Sequence, residues 1–166
     1  MQVNIAILTV TDTRDINTDK SGAILVNKIK EQNHKLVDRK IVKDEKKEIK
    51  KIILKWLKNK ELDVILTTGG TGLTGRDITP EAIKEIADKE IPGFGELFRQ
   101  LSYNTVGTST MQSRAFAVLA NGKYIYALPG SSGGVTDAWD MILKYQLDIN
   151  HKPCNFVELF PRLKEK

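Results

Sequence analysis

Apolar residues follow two rhythms along this chain. Short, nearly unbroken runs alternate with longer stretches in which apolar positions recur every three or four residues. Val3 to Val10 is rich in β-branched residues and reads as a buried strand. A polar loop follows it, and a helix is expected from about Ser21 to Gln32, with Gly22, Leu25, Val26 and Ile29 on one face and Asn33 as its stop. Leu36 to Val42 is a second strand. Ile49, Ile52, Ile53, Trp56 and Leu57 then recur at i, i+3, i+4, i+7 and i+8, the apolar face of an amphipathic helix. Val64 to Thr68 is a third strand. Thr79, Pro80 and Glu81 read as an N-cap, a first-position proline and a first-turn acid, opening a helix to about Asp88. Pro92 breaks that helix, and further helical material is expected from about Gly93 to Leu119. Tyr124 to Leu128 is a strand, followed by a helix carrying Val135, Ala138, Trp139 and Ile142. The order βαβαβ, helical stretch, βα predicts an α/β fold: a mainly parallel sheet covered on both faces. No linker, repeat or low-complexity segment interrupts residues 1–166, which read as a single domain.

Composition narrows this little. The length suits one domain with a self-sufficient core. No apolar run approaches the roughly 20 residues of a membrane span. The first residues, MQVNIAILTVTD, have no basic region and read as a strand rather than a signal peptide. Cys154 is the only cysteine, so no intramolecular disulfide forms, and a cytoplasmic location is expected. The net charge of +5 is confined to residues 43–60, where eight lysines face three acids; the remainder is balanced. These lysines occupy the polar side of the amphipathic helix, which reads as a solvated face. With 20 Lys and only six Arg, the chain is not expected to bind nucleic acid. His34 and His151 show no ligand spacing and read as surface histidines. Trp56 and Trp139 lie on apolar helix faces and read as core.

In an open α/β sheet, ligands bind beyond the carboxyl ends of the strands. Four loops leave those ends, at Asp12, Asp44, Gly69 and Pro129. The third, TTGGTGLTGRD, holds four glycines, more than a tight turn requires, and consecutive N–H groups there can cradle a phosphate. It is no Walker A loop, because Gly75 is followed by Arg76 and Asp77 rather than Lys-Ser/Thr. It matches G-x-G-x-x-G literally. The helix nevertheless starts only near Pro80 and no ribose-binding acid follows at the right distance, so a dinucleotide-dependent redox enzyme is disfavoured. Asp77, beside the glycines, would repel phosphate unless a cation such as Mg²⁺ intervened. Asp44 is a second candidate carboxylate, although Asp is equally a good helix cap. Asp12 has the same ambiguity as a turn residue.

These residues in combination resemble the MogA/MoaB family of molybdenum cofactor biosynthesis proteins. LTTGGTG followed by RDITPE carries the resemblance, together with TVTDTR, KSG, IPGFGELFRQLS, GTSTMQSR and LPG, and it covers almost the whole chain. The tail HKPCNF is similar to the MoaB branch. The resemblance implies a Rossmann-like, three-layer α/β/α fold. It implies adenylylation of molybdopterin by ATP with Mg²⁺, release of diphosphate, and hand-over of the activated pterin for metal insertion. Homotrimers or homohexamers are implied as the assembly. Asp44 and Asp77 match the family's catalytic, metal-holding acids. Gly69, Gly70, Thr71 and Gly72 match its glycine loop, with Thr68, Arg76 and Asp12 completing the strand-end binding set. Ser113 matches the serine of a Ser-Arg step beside the pterin, and Pro129, Gly130 and Ser131 match the LPG loop. After LPG the chain reads SSGGV where many relatives carry a proline step such as Asn-Pro. The alternative function is a non-catalytic molybdopterin-binding scaffold of the same pathway.

Overall fold

A computed structural model describes residues 1–165. Six strands form one sheet: β1 (Asn4–Val10), β2 (Lys35–Val42), β3 (Val64–Thr68), β4 (Lys89–Glu90), β5 (Phe116–Ala120) and β6 (Lys123–Leu128). Their spatial order is β2-β1-β3-β6-β5-β4. The first four in that order are mutually parallel, while β5 runs antiparallel to both neighbours. The helices are α1 (Lys20–Glu31), α2 (Lys46–Leu57), α3 (Thr79–Lys84), α4 (Pro92–Val106), α5 (Ser132–Ala138) and α6 (Lys144–Gln146). A π turn at Trp139–Leu143 joins the last two, and 3₁₀ segments follow α4 and close the chain.

Strand periodicity explains why the inner parallel strands β1, β3 and β6 are almost wholly buried, whereas the edge strand β2 keeps Asp38, Arg39 and Lys40 half-buried or exposed. Successive side chains point to opposite faces, and both faces are covered. Ile5 and Ile7 of β1 with Tyr124, Tyr126 and Leu128 of β6 pack under α1, α4 and α5. Ala6, Leu8 and Val10 with Ile125 and Ala127 pack under α2 and α3. The result is three layers, α/β/α. Each large side chain buried in this way stabilises the fold by about 1.5–3 kcal/mol.

The expectation of helix through Leu119 is wrong in its second half. AFAVLA is β5, and Asn121 and Gly122 turn it back into β6 with φ of 47° and 69°. A short apolar run fits strand or helix equally. The Asn-Gly step decides, because both residues take the left-handed conformation that a two-residue hairpin needs. Pro92 does not merely end a helix; it sits in the first turn of α4. α3 ends at Lys84, with β4 ahead of α4. His34 is not at the surface but 9% exposed, its Nδ1 accepting from the Val3 N–H. Trp56 and Trp139 are buried as expected.

Candidate active site

The strand order changes direction between β1 and β3, so the crevice at their carboxyl ends is the topological switch point. The glycine loop leaves β3 there. Gly69 has φ 99° and lies so close to β1 that a Cβ would come within 2.2 Å of the Val10 carbonyl oxygen. Gly70 has φ 66°, and a Cβ there would meet the Thr79 hydroxyl at 2.3 Å and Asp44 Oδ1 at 2.9 Å. Only glycine tolerates both the backbone conformation and the crowding.

Side chains and backbone lock this loop in place. The Thr68 hydroxyl donates to the Pro129 carbonyl at 2.7 Å, tying the glycine loop to the loop after β6. The Thr79 hydroxyl donates to the Gly69 carbonyl at 2.9 Å, and the Thr79 N–H donates to the Gly70 carbonyl at 3.1 Å. Thr79 therefore serves the loop rather than capping α3, whose cap position is Ile78. The buried Thr71 offers its carbonyl to the Arg114 N–H at 3.0 Å.

Two carboxylates flank the glycines. Asp77 Oδ2 accepts from the Thr74 N–H at 2.9 Å and the Thr74 hydroxyl at 2.7 Å, and lies 2.7 Å from where a Gly72 Cβ would stand. Burial pushes the Asp77 carboxyl up. The bonds from Thr74 and the Gly72 N–H, with the Arg114 charge, outweigh it and hold the carboxyl below its ordinary value. Asp44 behaves oppositely. Burial raises it, the negative charges of Asp77 and Asp12 add to the rise, and a long 3.4 Å bond from the Ile78 N–H offsets them only in part. Asp44 does not cap α2; Glu45 holds the cap position and makes no side-chain cap bond.

Asp12 forms an ion pair with Arg76, Nε to Oδ2 at 3.0 Å and Nη2 to Oδ1 at 3.0 Å, and accepts the Asp44 N–H at 3.1 Å. The Asp44 N–H, followed by Arg76, holds the Asp12 carboxyl below its ordinary value. This pair ties the loop after β1 to the glycine loop across Asp44.

Asp44 and Asp77 suit a hard divalent cation. The negative charge of Asp77 helps to raise the Asp44 carboxyl, and a cation beside the two would offset it. Among the described residues, no group of three or more His, Cys, Asp or Glu would enclose a metal by itself. Mg²⁺ binds in this shared way rather than in an all-protein cage.

One cavity adjoins the glycine loop, and a second adjoins the loop after β6. One, of about 250 Å³, lies at the switch point between Thr9, Arg14, Lys20, Ser21, Gly69 and Ser131. Its wall includes the opening of α1, where buried Asp19 accepts from the Gly22 N–H at 2.9 Å, the Thr9 hydroxyl at 2.7 Å and Arg39 at 2.8 Å. Two cations, hydroxyls and a helix N-terminus suit it to an anion. The other, of about 400 Å³, is more apolar and runs between α4 and α5, past Phe98, Val106, Ser113, Pro129 and Asp137. Its mostly apolar wall with a few polar groups is the usual lining of a small-molecule pocket.

Fold and site together define an α/β protein with a glycine-rich loop and two flanking carboxylates at its switch point. A family profile described as "Probable molybdopterin binding domain" matches residues 6–149. Molybdenum cofactor biosynthesis protein B of Escherichia coli K12 is 45% identical over 161 residues, covering 97% of this chain and 93% of that protein. A crystal structure of a molybdenum cofactor biosynthesis protein B superposes with a TM-score of 0.89 at 40% identity, covering 100% of this chain and 98% of the other. The tungsten cofactor synthesizing protein MoaB from Pyrococcus furiosus superposes at 0.77 with 36% identity, covering 86% and 91%. The chain belongs to this molybdopterin-binding family of molybdenum cofactor biosynthesis proteins.

The candidate residues fall into three groups around one loop. Asp12, Asp44, Arg76 and Asp77 lie on one side of Gly70 and Gly72. Thr68, Gly69, Gly130 and Ser131 line the polar cavity. Ser113, Pro129 and Ser131 line the apolar one, so Ser131 borders both. Sequence reasoning quoted Arg14 in TVTDTR and Lys20 and Ser21 in KSG but named none of them, nor Asp19, as a site residue, although they lie where the strand-end rule points. It gave no role to Arg114, the arginine of the Ser-Arg step, whose contacts with the glycine loop and Glu81 are all remote in sequence.

Proposed function

We propose that this chain is a molybdopterin adenylyltransferase acting in molybdenum cofactor biosynthesis. The observation that carries the reading is the placement of Asp44 and Asp77 against Gly70 and Gly72, with Asp44 held above its ordinary carboxylate range by burial and by its acidic neighbours. In this reading the terminal phosphate of molybdopterin attacks the α-phosphorus of ATP. One P–O bond forms, the bond to the β-phosphate bridge breaks, and diphosphate leaves. Joining two anions is mainly a problem of positioning and charge, so no side-chain nucleophile is needed. The glycine-loop N–H groups orient phosphate oxygens, Arg14 and Lys20 draw an anionic group into the polar cavity, and the apolar cavity beside Ser113 takes a ring. Mg²⁺ on Asp44 and Asp77 would supply the positive charge that stabilises the departing diphosphate.

Purified protein incubated with molybdopterin, ATP and Mg²⁺ is expected to release diphosphate and adenylylated pterin. Asp77→Asn removes the charge while keeping the shape, and is expected to abolish turnover with the fold intact. Pterin binding with no product from the wild type would replace this reading with that of a non-catalytic scaffold.

A further inference from the structure

Arg114 lies between the 3₁₀ segment at Gly107–Gln112 and β5, far in sequence from the glycine loop, yet most of its hydrogen bonds go there. Its backbone N–H donates to the Thr71 carbonyl at 3.0 Å, its Nε to the Gly72 carbonyl at 2.7 Å and its Nη2 to the Asp77 carbonyl at 2.8 Å. Its Nη1 pairs with Glu81 on α3. Gly72 and Asp77 are the two ends of the turn that presents the Asp77 carboxylate. Inside it, the Asp77 N–H donates to the Thr74 carbonyl at 3.1 Å.

A guanidinium holds its donors in a rigid planar fork. Bonds from one fork to both carbonyls therefore fix the distance between the two ends of the turn. Glu81 holds the fork in turn by pairing with Nη1. A lysine ammonium has no such fork.

We propose that Arg114, oriented by Glu81, is a positioning residue that sets the span of the Gly72–Asp77 turn and thereby aims the Asp77 carboxylate. The proposal rests on the reading of Asp77 as a cation-holding acid, so its test separates the two. Backbone amide exchange is followed by mass spectrometry on the ligand-free wild type, Arg114→Gln, Arg114→Lys and Glu81→Gln. Mn²⁺ binding in the presence of ATP is titrated by electron paramagnetic resonance, which needs no turnover. In Arg114→Gln, exchange should accelerate about tenfold or more within residues 72–77 while β1, β3 and β6 stay protected. Mn²⁺ affinity should fall about ten- to a hundredfold, as for residues that orient metal ligands. Arg114→Lys and Glu81→Gln should lie between it and the wild type in both measurements. Unchanged exchange in Arg114→Gln, or a loosened turn with unchanged Mn²⁺ affinity, would overturn the proposal. A wild type that binds no Mn²⁺ would instead remove the cation-holding reading of Asp77, and with it the aiming role, while the exchange data still decide whether Arg114 sets the turn.

Discussion

Tyr126 carries a hydroxyl into the core beneath α4, where the side chain is fully buried, edge-on to Phe94 with ring centroids 5.1 Å apart, and where the hydroxyl finds no partner among the described residues. Burial pushes its ionisation well above the ordinary tyrosine value. Removing an unpaired buried hydroxyl while keeping the ring spares its desolvation cost. Tyr126→Phe is therefore expected to raise stability by about 1 kcal/mol, or roughly 2–4 °C in Tm, measured by thermal unfolding. His34 poses a titration question. Burial, then the positive charge of the chain's amino terminus, hold its folded-state pKa below 6.5, and Asp148 opposes them. The unfolded chain therefore binds the proton more readily. Stability is full above about pH 6.5 and falls as the pH drops from there through the lower folded value. His34→Gln, whose amide oxygen can still accept from the Val3 N–H, should flatten that loss in denaturant titrations between pH 7 and pH 5. Residues of this kind are the least legible in sequence. A histidine without ligand spacing looks like surface, and only packing against Val3 and the amino terminus puts it inside.

At the level of elements, legibility depended on how local the signal was. The parallel strands β1, β2, β3 and β6 and the amphipathic α1 and α2 follow from periodicity, because a strand or helix face is written within a few consecutive residues. β5 did not emerge in the same way, since AFAVLA alone does not choose between helix and strand. Its partner and the Asn121-Gly122 turn choose for it. That turn is open to a direct test. Gly122 has φ 69° and stands against the Lys164 side chain. A β-branched residue there must either strain the backbone or open the turn. Gly122→Val is expected to cost about 1–2 kcal/mol in equilibrium unfolding and to speed amide exchange in β5 and β6 before the parallel strands. Unchanged stability would mean that the hairpin tolerates another turn type.

For the whole molecule, the excess charge has the fate its pattern predicts: Ile49, Ile53, Trp56 and Leu57 are buried, while Lys47, Lys51 and Lys55 face outward. Another surface is apolar instead. Tyr103 and Val106 at the end of α4 and Met111 in the following 3₁₀ segment are 58%, 52% and 79% exposed. Grouped apolar exposure of this kind favours association, and we propose a homotrimer or homohexamer that covers it. Val106→Asp combined with Met111→Asp is expected to lower the mass measured by light scattering to that of the monomer; an unchanged mass would place any interface elsewhere. The sequence by itself determined the four parallel strands and the helices between the first three of them, the glycine loop, and the two acids close to it in the chain or at a strand end. Each of these is specified by neighbouring residues through backbone conformation and side-chain period. The tertiary structure alone decided that Asp44 meets Gly70, that Thr68 clasps Pro129, and that Arg114 reaches back to Gly72 and Asp77. Those contacts join segments brought together by burying both faces of the sheet, and no spacing within a single segment encodes the distance between two strand ends.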